Sequence, residues 1–146
     1  PRSTLVRSSA ASDVYKRLAS EIANYQISSI PKKKIELKLI SEMTDSGFNI
    51  LYSGSDISVF GKLLHESWKI KRTLSKKITN SIIDDIYATA LKSGATGGKL
   101  LGAGGGGFII FYVPEESQKN VRANLREFLE IPFNFESEGS KIIFNS

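Results

Sequence analysis

The sequence predicts an α+β domain, a four-stranded mixed or antiparallel sheet with helices packed on one face. Three observations predict it. Segments with three- and four-residue apolar spacing fill the first two-thirds of the chain, a β-branched and aromatic run follows a glycine-rich stretch, and short alternating segments close the C-terminus. At 146 residues, 40% hydrophobic and 24% charged, the chain is long enough to bury one core without a metal or disulfide.

Taken in order, residues 12–25 place Val14, Leu18, Ile22 and Tyr25 on one helical face behind a Ser12–Asp13 start signal. Pro31 suits the first turn of a second helix that carries Ile35, Leu39, Met43, Ile50 and Leu51, its spacing interrupted near Gly47. A third helix runs from Val59 to Leu74 with Phe60, Leu63, Ser67 and Ile70 on one face and Asp56 at its start. Residues 81–93 form a fourth, opened by Ser81 with Asp84 in a capping box, buried through Ile83, Ile86, Ala90 and Leu91, and closed by Gly94. Phe108–Val113 then reads as a buried strand. Pro114–Glu116 opens a helix whose buried face is Val121, Leu125, Phe128 and Leu129. Ile131, Phe133 and Phe135, a turn at 137–140, and Lys141–Phe144 predict a terminal hairpin, with Pro132 marking a sheet edge.

Composition removes much chemistry. Zero Cys excludes disulfides, thiolate nucleophiles and Cys-ligated metals, and the single His65 cannot found a His-rich metal site. The net charge of +5 favours anionic partners without naming them. No apolar run reaches the ~20 residues of a membrane span, and the N-terminus has no apolar signal segment, so a cytoplasmic protein with no membrane partner is expected. A chain that begins at Pro1 without an initiator Met reads as a piece of a longer protein.

Eight of the twelve glycines lie between Gly94 and Gly107, a density that weakens regular structure by about 0.5–1 kcal/mol per residue and calls for a compensating gain. Consecutive glycines let backbone N–H groups converge on an anion, or let another segment pack against bare main chain. Gly102-Ala-Gly-Gly-Gly-Gly107 formally satisfies G-x-G-x-x-G, but a strand follows where the dinucleotide fingerprint needs a helix. Gly98-Lys99 is followed by Leu100, not Ser or Thr, so it is no P-loop. Aliphatic residues stand where an RNA-recognition strand needs stacking rings, and no nucleic-acid partner is expected. On the residues alone, a close-approach ligand loop and a packing turn are equally open.

The string Gly97-Gly-Lys-Leu-Leu-Gly-Ala-Gly-Gly-Gly-Gly-Phe108 resembles the third signature motif of the GHMP kinases, which phosphorylate small metabolites with ATP. Leu64-His-Glu-Ser-Trp-Lys-Ile-Lys-Arg-Thr-Leu-Ser-Lys-Lys-Ile78 is similar to the branch acting on D-glycero-D-manno-heptose 7-phosphate, a precursor of bacterial surface polysaccharides. The resemblance covers about residues 35–146 and implies a ferredoxin-like C-terminal domain. It places 31–146 in that domain and makes residues 1–30, helix included, a segment leaving an N-terminal domain. The family's Gly-Leu-Gly-Ser-Ser nucleotide loop and its catalytic Asp and Lys belong to that domain and are not found here.

The resemblance further implies that ATP and Mg²⁺ are held mainly by the N-terminal domain and that no catalytic residue lies in this chain. Gly102, Ala103, Gly104, Gly105, Gly106 and Gly107 would line the nucleotide side of the cleft. Substrate contacts would fall to Lys99 and to the helix bearing His65, Trp68 and Lys71, with a sugar phosphate and the N-terminal kinase domain as partners. Lys71 matches the family motif and shares a face with Ser67 and Ser75, whereas Lys76 and Lys77 read as solvated charges. Trp68 suits packing with its indole N–H on a polar partner. Asp84 and Asp85 point about 100° apart on a helix and cannot act as one acid–base pair. The rival expectation is a free-standing α+β module that binds nucleic acid or a small anion; an upstream reading frame encoding the Gly-Leu-Gly-Ser-Ser loop separates the two.

Overall fold

The computed structural model describes residues 4–7, 15–54 and 56–134. Chain order is β1 (Thr4–Arg7), α1 (Tyr15–Ser29), a 3₁₀ turn (Ile30–Lys32), α2 (Lys34–Tyr52), α3 (Ser58–Thr73), α4 (Ser81–Lys92), β2 (Gly97–Leu100), β3 (Phe108–Tyr112), α5 (Glu115–Asn124) and β4 (Leu129–Pro132). The strands form one sheet in the order β2-β3-β1-β4, every neighbouring pair antiparallel. The result is an α+β fold of five helices and a small sheet among the described residues. None of these helices is long and apolar enough to cross a membrane.

The core forms where apolar helical faces meet the middle of the sheet. Ile22, Trp68, Ile78, Ile83, Ile86, Leu100 and Ile109 are the largest fully buried side chains. Each burial removes apolar surface worth roughly 1.5–3 kcal/mol for an aliphatic side chain. Ile83, Ile86 and Ala90 fall on the buried face of α4 as their spacing predicts, and Gly94 follows that helix with φ +111°. β3 is an interior strand, with Ile109 and Phe111 inward.

The strand that precedes β3 lies inside the glycine-rich stretch, in keeping with an order of two strands before α5: Gly97–Leu100 pairs with β3 from Gly97↔Tyr112 to Leu100↔Ile109. Several expectations are corrected. Thr4–Arg7, expected only as part of a leaving segment, is an interior strand between β3 and β4. α2 continues through Gly47, which packs against α3 at a distance a Cβ would tolerate, 3.4 Å from Leu63 and 3.5 Å from Phe60. Tyr25, Ile35, Leu39 and Leu51 are exposed, so helical spacing at these positions did not mark the core. The cap of α4 is Asn80, whose side chain accepts from the Ile83 N–H at 3.0 Å; Asp84 instead takes Arg72 and Thr79.

α5 ends at Asn124, not near Leu129, since Leu129–Pro132 pairs with β1 and pulls the chain out of the helix. Among the described residues Pro132 lies on an edge strand. The Ser12–Asp13 start signal, Phe135 and the Lys141–Phe144 arm of the expected hairpin fall outside the described residues.

Candidate functional site

Where α3 crosses β2 the two backbones touch. A Cβ on Gly97 would lie 2.0 Å from the Gly61 carbonyl oxygen, and one on Gly61 would lie 2.7 Å from the Tyr112 ring. Glycine at both positions is a packing requirement that sets α3 along the exposed edge of the sheet. Side chains from α3 and α4 then cover that edge. Tyr87 donates its hydroxyl to the Gly98 carbonyl at 3.0 Å, and the Lys71 ammonium donates to the Leu100 carbonyl at 3.2 Å. Backbone acceptors that an edge strand would leave open are thereby used.

His65 joins the first of these contacts. Its Nδ1 lies 2.9 Å from the Tyr87 oxygen, and the two rings stack with centroids 5.9 Å apart. Because the one phenolic proton goes to Gly98, Nδ1 must carry the hydrogen that His65 donates to Tyr87, which fixes the neutral tautomer as Nδ1–H. Burial pushes the Tyr87 hydroxyl up to about 12. Sequence reasoning missed Tyr87, whose place on a helical apolar face carried no sign of its hydroxyl's role.

Beyond β2 the chain makes no helix between Leu101 and Gly107. Three side chains from three elements hold this loop by its carbonyls. Lys71 donates to Gly102 O at 2.5 Å, Gln26 of α1 to Ala103 O at 3.3 Å, and Asn80 to Gly105 O at 3.3 Å. The Gly105 N–H returns a bond to Ile78 O at 2.8 Å. At Gly104 the backbone has φ +123°, and a Cβ would lie 2.8 Å from the Ile78 Cα, so the close approach is bound to glycine there. Gln26 and Asn80 were not anticipated, since lone amides on helices carry no pattern.

The expected substrate residues separate. Lys71 and Lys99 come together: Lys99 Nζ lies 3.5 Å from the Ser67 hydroxyl, and Ser67 stands one turn before Lys71 on α3. Burial, and secondarily the charge of Lys99, pushes the Lys71 ammonium down to about 8; burial also lowers Lys99. His65 is half-buried and committed to Tyr87. Trp68 is 1% exposed inside the core, packed against Tyr87, so it serves packing and has no access to a surface ligand. Its indole N–H finds no hydrogen-bond partner among the described residues, against expectation. Lys76 and Lys77 are exposed, Lys77 within 3.8 Å of Glu21, as solvated charges should be.

A glycine loop pinned by its carbonyls lies beside two half-buried amines on a helix-backed antiparallel sheet, in an α+β domain. The chain belongs to the GHMP kinase family, with residues 49–131 matching the family of GHMP kinase C-terminal domains. It is 33% identical over 90 residues to D-glycero-alpha-D-manno-heptose 7-phosphate kinase of Campylobacter jejuni, a match covering 60% of this chain and 26% of that protein. It is 28% identical over 95 residues to the bifunctional fucokinase/GDP-fucose pyrophosphorylase of Arabidopsis thaliana, covering 64% of this chain and 9% of that protein.

Among solved structures, a mevalonate kinase superposes with TM-score 0.72 at 25% identity, covering 90% of this chain and 39% of that one. The L. major mevalonate kinase in complex with R-mevalonate shares the fold, with TM-score 0.69 at 16% identity, covering 86% of this chain and 38% of the other. The chain spans well under half the length of each of these relatives.

Proposed function

We propose that this chain is the C-terminal portion of an ATP-dependent kinase that phosphorylates a sugar phosphate, with a heptose 7-phosphate as acceptor in the synthesis of bacterial surface polysaccharide. The split β-α-β order, β1, helices, β2, β3, α5, β4, supports a ferredoxin-like reading of the domain. The observation that carries the proposal is the glycine loop. With the carbonyls of Gly102, Ala103 and Gly105 held by Lys71, Gln26 and Asn80, the loop is fixed in place and its bare backbone leaves room for the close approach of a phosphate. Likeness to a heptose 7-phosphate kinase at 33% identity supports the acceptor class.

The residues fit one wall of a nucleotide site and not the whole of it. No group of three or more His, Asp or Glu side chains suited to a metal occurs among the described residues, so Mg²⁺ would be held by the N-terminal domain together with the triphosphate. ATP supplies the transferable phosphoryl group and Mg²⁺ offsets its charge. This chain's part is to close the cleft with bare backbone at Gly104–Gly107 and to exclude water by the packing of α3 on β2. On this reading the 146-residue chain alone transfers no phosphate.

The test is an acceptor panel for the complete protein. Turnover of D-glycero-D-manno-heptose 7-phosphate at least tenfold above that of galactose, fucose or mevalonate is expected; preference for an unphosphorylated acceptor contradicts the proposal.

A further inference from the structure

We propose that Lys71 and Lys99 form a binding site for a phosphomonoester dianion, and that its natural occupant is the phosphate already present on the acceptor sugar. The occupant rests on the kinase reading; the site itself rests on geometry. Ser67 and Lys71 lie four residues apart on α3, about 6 Å along the axis, and thus on one face. Lys99 approaches that face through Ser67, and Lys71 reaches the carbonyl of Leu100, the residue next to Lys99. Lys71 therefore sits at the corner where β2 runs into the glycine loop, and Lys99 reaches the same face of α3 one turn earlier.

Neither amine has a countercharge among the described residues. The ion pairs among the described residues engage Lys33, Lys38, Lys69, Arg72, Lys77 and Arg122 with carboxylates, and neither Lys71 nor Lys99 is among them. Two half-buried ammonium groups near one stretch of chain, with no acid among the described residues to compensate them, repel, and an anion bound by both relieves that repulsion. Lowered proton affinity at both sites agrees with this lack of compensation.

Lys71 is also fixed in place. Two of its three N–H donors go to Leu100 O and Gly102 O, so the third is oriented before any ligand arrives, and ordering costs little. Among the described residues Lys99 has only the long 3.5 Å contact to Ser67, which leaves it donors for a ligand. A dianionic oxygen cluster held by two point charges matches this arrangement better than a carboxylate that needs a planar fork.

The experiment is an NMR titration of the 146-residue chain that follows the lysine Cε methylene signals, with inorganic phosphate, D-mannose 6-phosphate and ATP as separate probes. Expected are shifts at Lys71 and Lys99, a rise in the pH at which both titrate when phosphate is present, and tighter binding of mannose 6-phosphate than of ATP. Lys99→Met, which removes only the Ser67 contact, should weaken phosphate binding about tenfold, and Lys99→Arg should restore most of it. A Lys76→Met/Lys77→Met double variant should bind as the parent does. Phosphate that leaves both lysine signals unmoved, or binding indifferent to Lys99→Met, overturns the site. ATP bound at these lysines as tightly as mannose 6-phosphate overturns the occupant. A complete protein that phosphorylates sugar phosphates while these lysines ignore phosphate leaves the kinase reading standing without the site; phosphate bound here in a protein without kinase activity does the reverse.

Discussion

The Lys71 ammonium lies 2.5 Å from the carbonyl oxygen of Gly102 and 3.2 Å from that of Leu100, so one side chain of α3 clamps both sides of the turn from edge strand into glycine loop. Lys71→Ala in the complete protein should raise KM for the sugar phosphate far more than KM for ATP. The expected loss is that of a charge-assisted contact, roughly 1.5–3 kcal/mol, or about ten- to a hundredfold in kcat/KM. Lys77→Ala, which removes only an exposed pair with Glu21, should leave both constants nearly unchanged. Equal effects from the two variants would show a general influence of net charge.

The glycines divide into those held by packing and those held by conformation. Gly97→Ala drives a Cβ into the Gly61 carbonyl and should cost more than about 3 kcal/mol or prevent folding, because backbone on both sides must move. Gly102 has φ +79° with nothing within 4 Å of an added Cβ, so Gly102→Ala should cost only the strain of a left-handed residue, about 1–2 kcal/mol. Urea unfolding of the two variants checks the order; a more damaging Gly102→Ala would contradict it.

How much of this was legible beforehand follows from which residues carry a local signal. The helix over 81–92 was readable because Ile83, Ile86 and Ala90 all face the core, and the lack of a helix after Gly105 was readable from Phe108–Tyr112. The strand Thr4–Arg7 was not, for four residues carry too little period to separate from a leaving segment, and pairing with β3 and β4 is what makes it a strand. Leu125, Phe128 and Leu129 continue a helical spacing that long-range pairing with β1 overrides. At the site, Lys71 and Lys99 were legible as charges, but the carbonyls that Lys71 grips, and the parts played by Tyr87, Gln26 and Asn80, arise only when distant segments meet.

Tyr87→Phe should remove a buried bond to Gly98 O and strand the His65 Nδ1 donor. The expected cost is about 1–3 kcal/mol in unfolding free energy, with little loss of packing because the ring contacts with Phe111 and Trp68 survive. Chemical denaturation measures it, and a neutral variant would mean that the His65–Tyr87–Gly98 chain contributes nothing to stability.

Alkaline pH should stabilise the domain before it destabilises it. Lys71 is held at about 8 against an ordinary 10.5, so between those values the unfolded chain binds more protons and stability rises with pH. A neutral amine keeps two N–H donors, enough for both carbonyls. Tyr87 acts in the opposite sense: held at about 12 against 10.0, it keeps a proton that the unfolded chain loses, and stability falls above pH 10. Urea midpoints should therefore increase from pH 7.5 to 9.5, and Lys71→Met should flatten that rise; an unchanged slope in the variant contradicts the assignment.

The most direct test of the central claim is phosphoryl transfer from labelled ATP to D-glycero-D-manno-heptose 7-phosphate, measured side by side for the 146-residue chain and for the complete protein. With no phosphate-cradling loop at a helix N-terminus among the described residues, the chain alone should bind Mg·ATP negligibly and transfer nothing, while the complete protein turns over. Micromolar Mg·ATP affinity or transfer by the isolated chain, or a complete protein inert toward every sugar phosphate, would contradict the account.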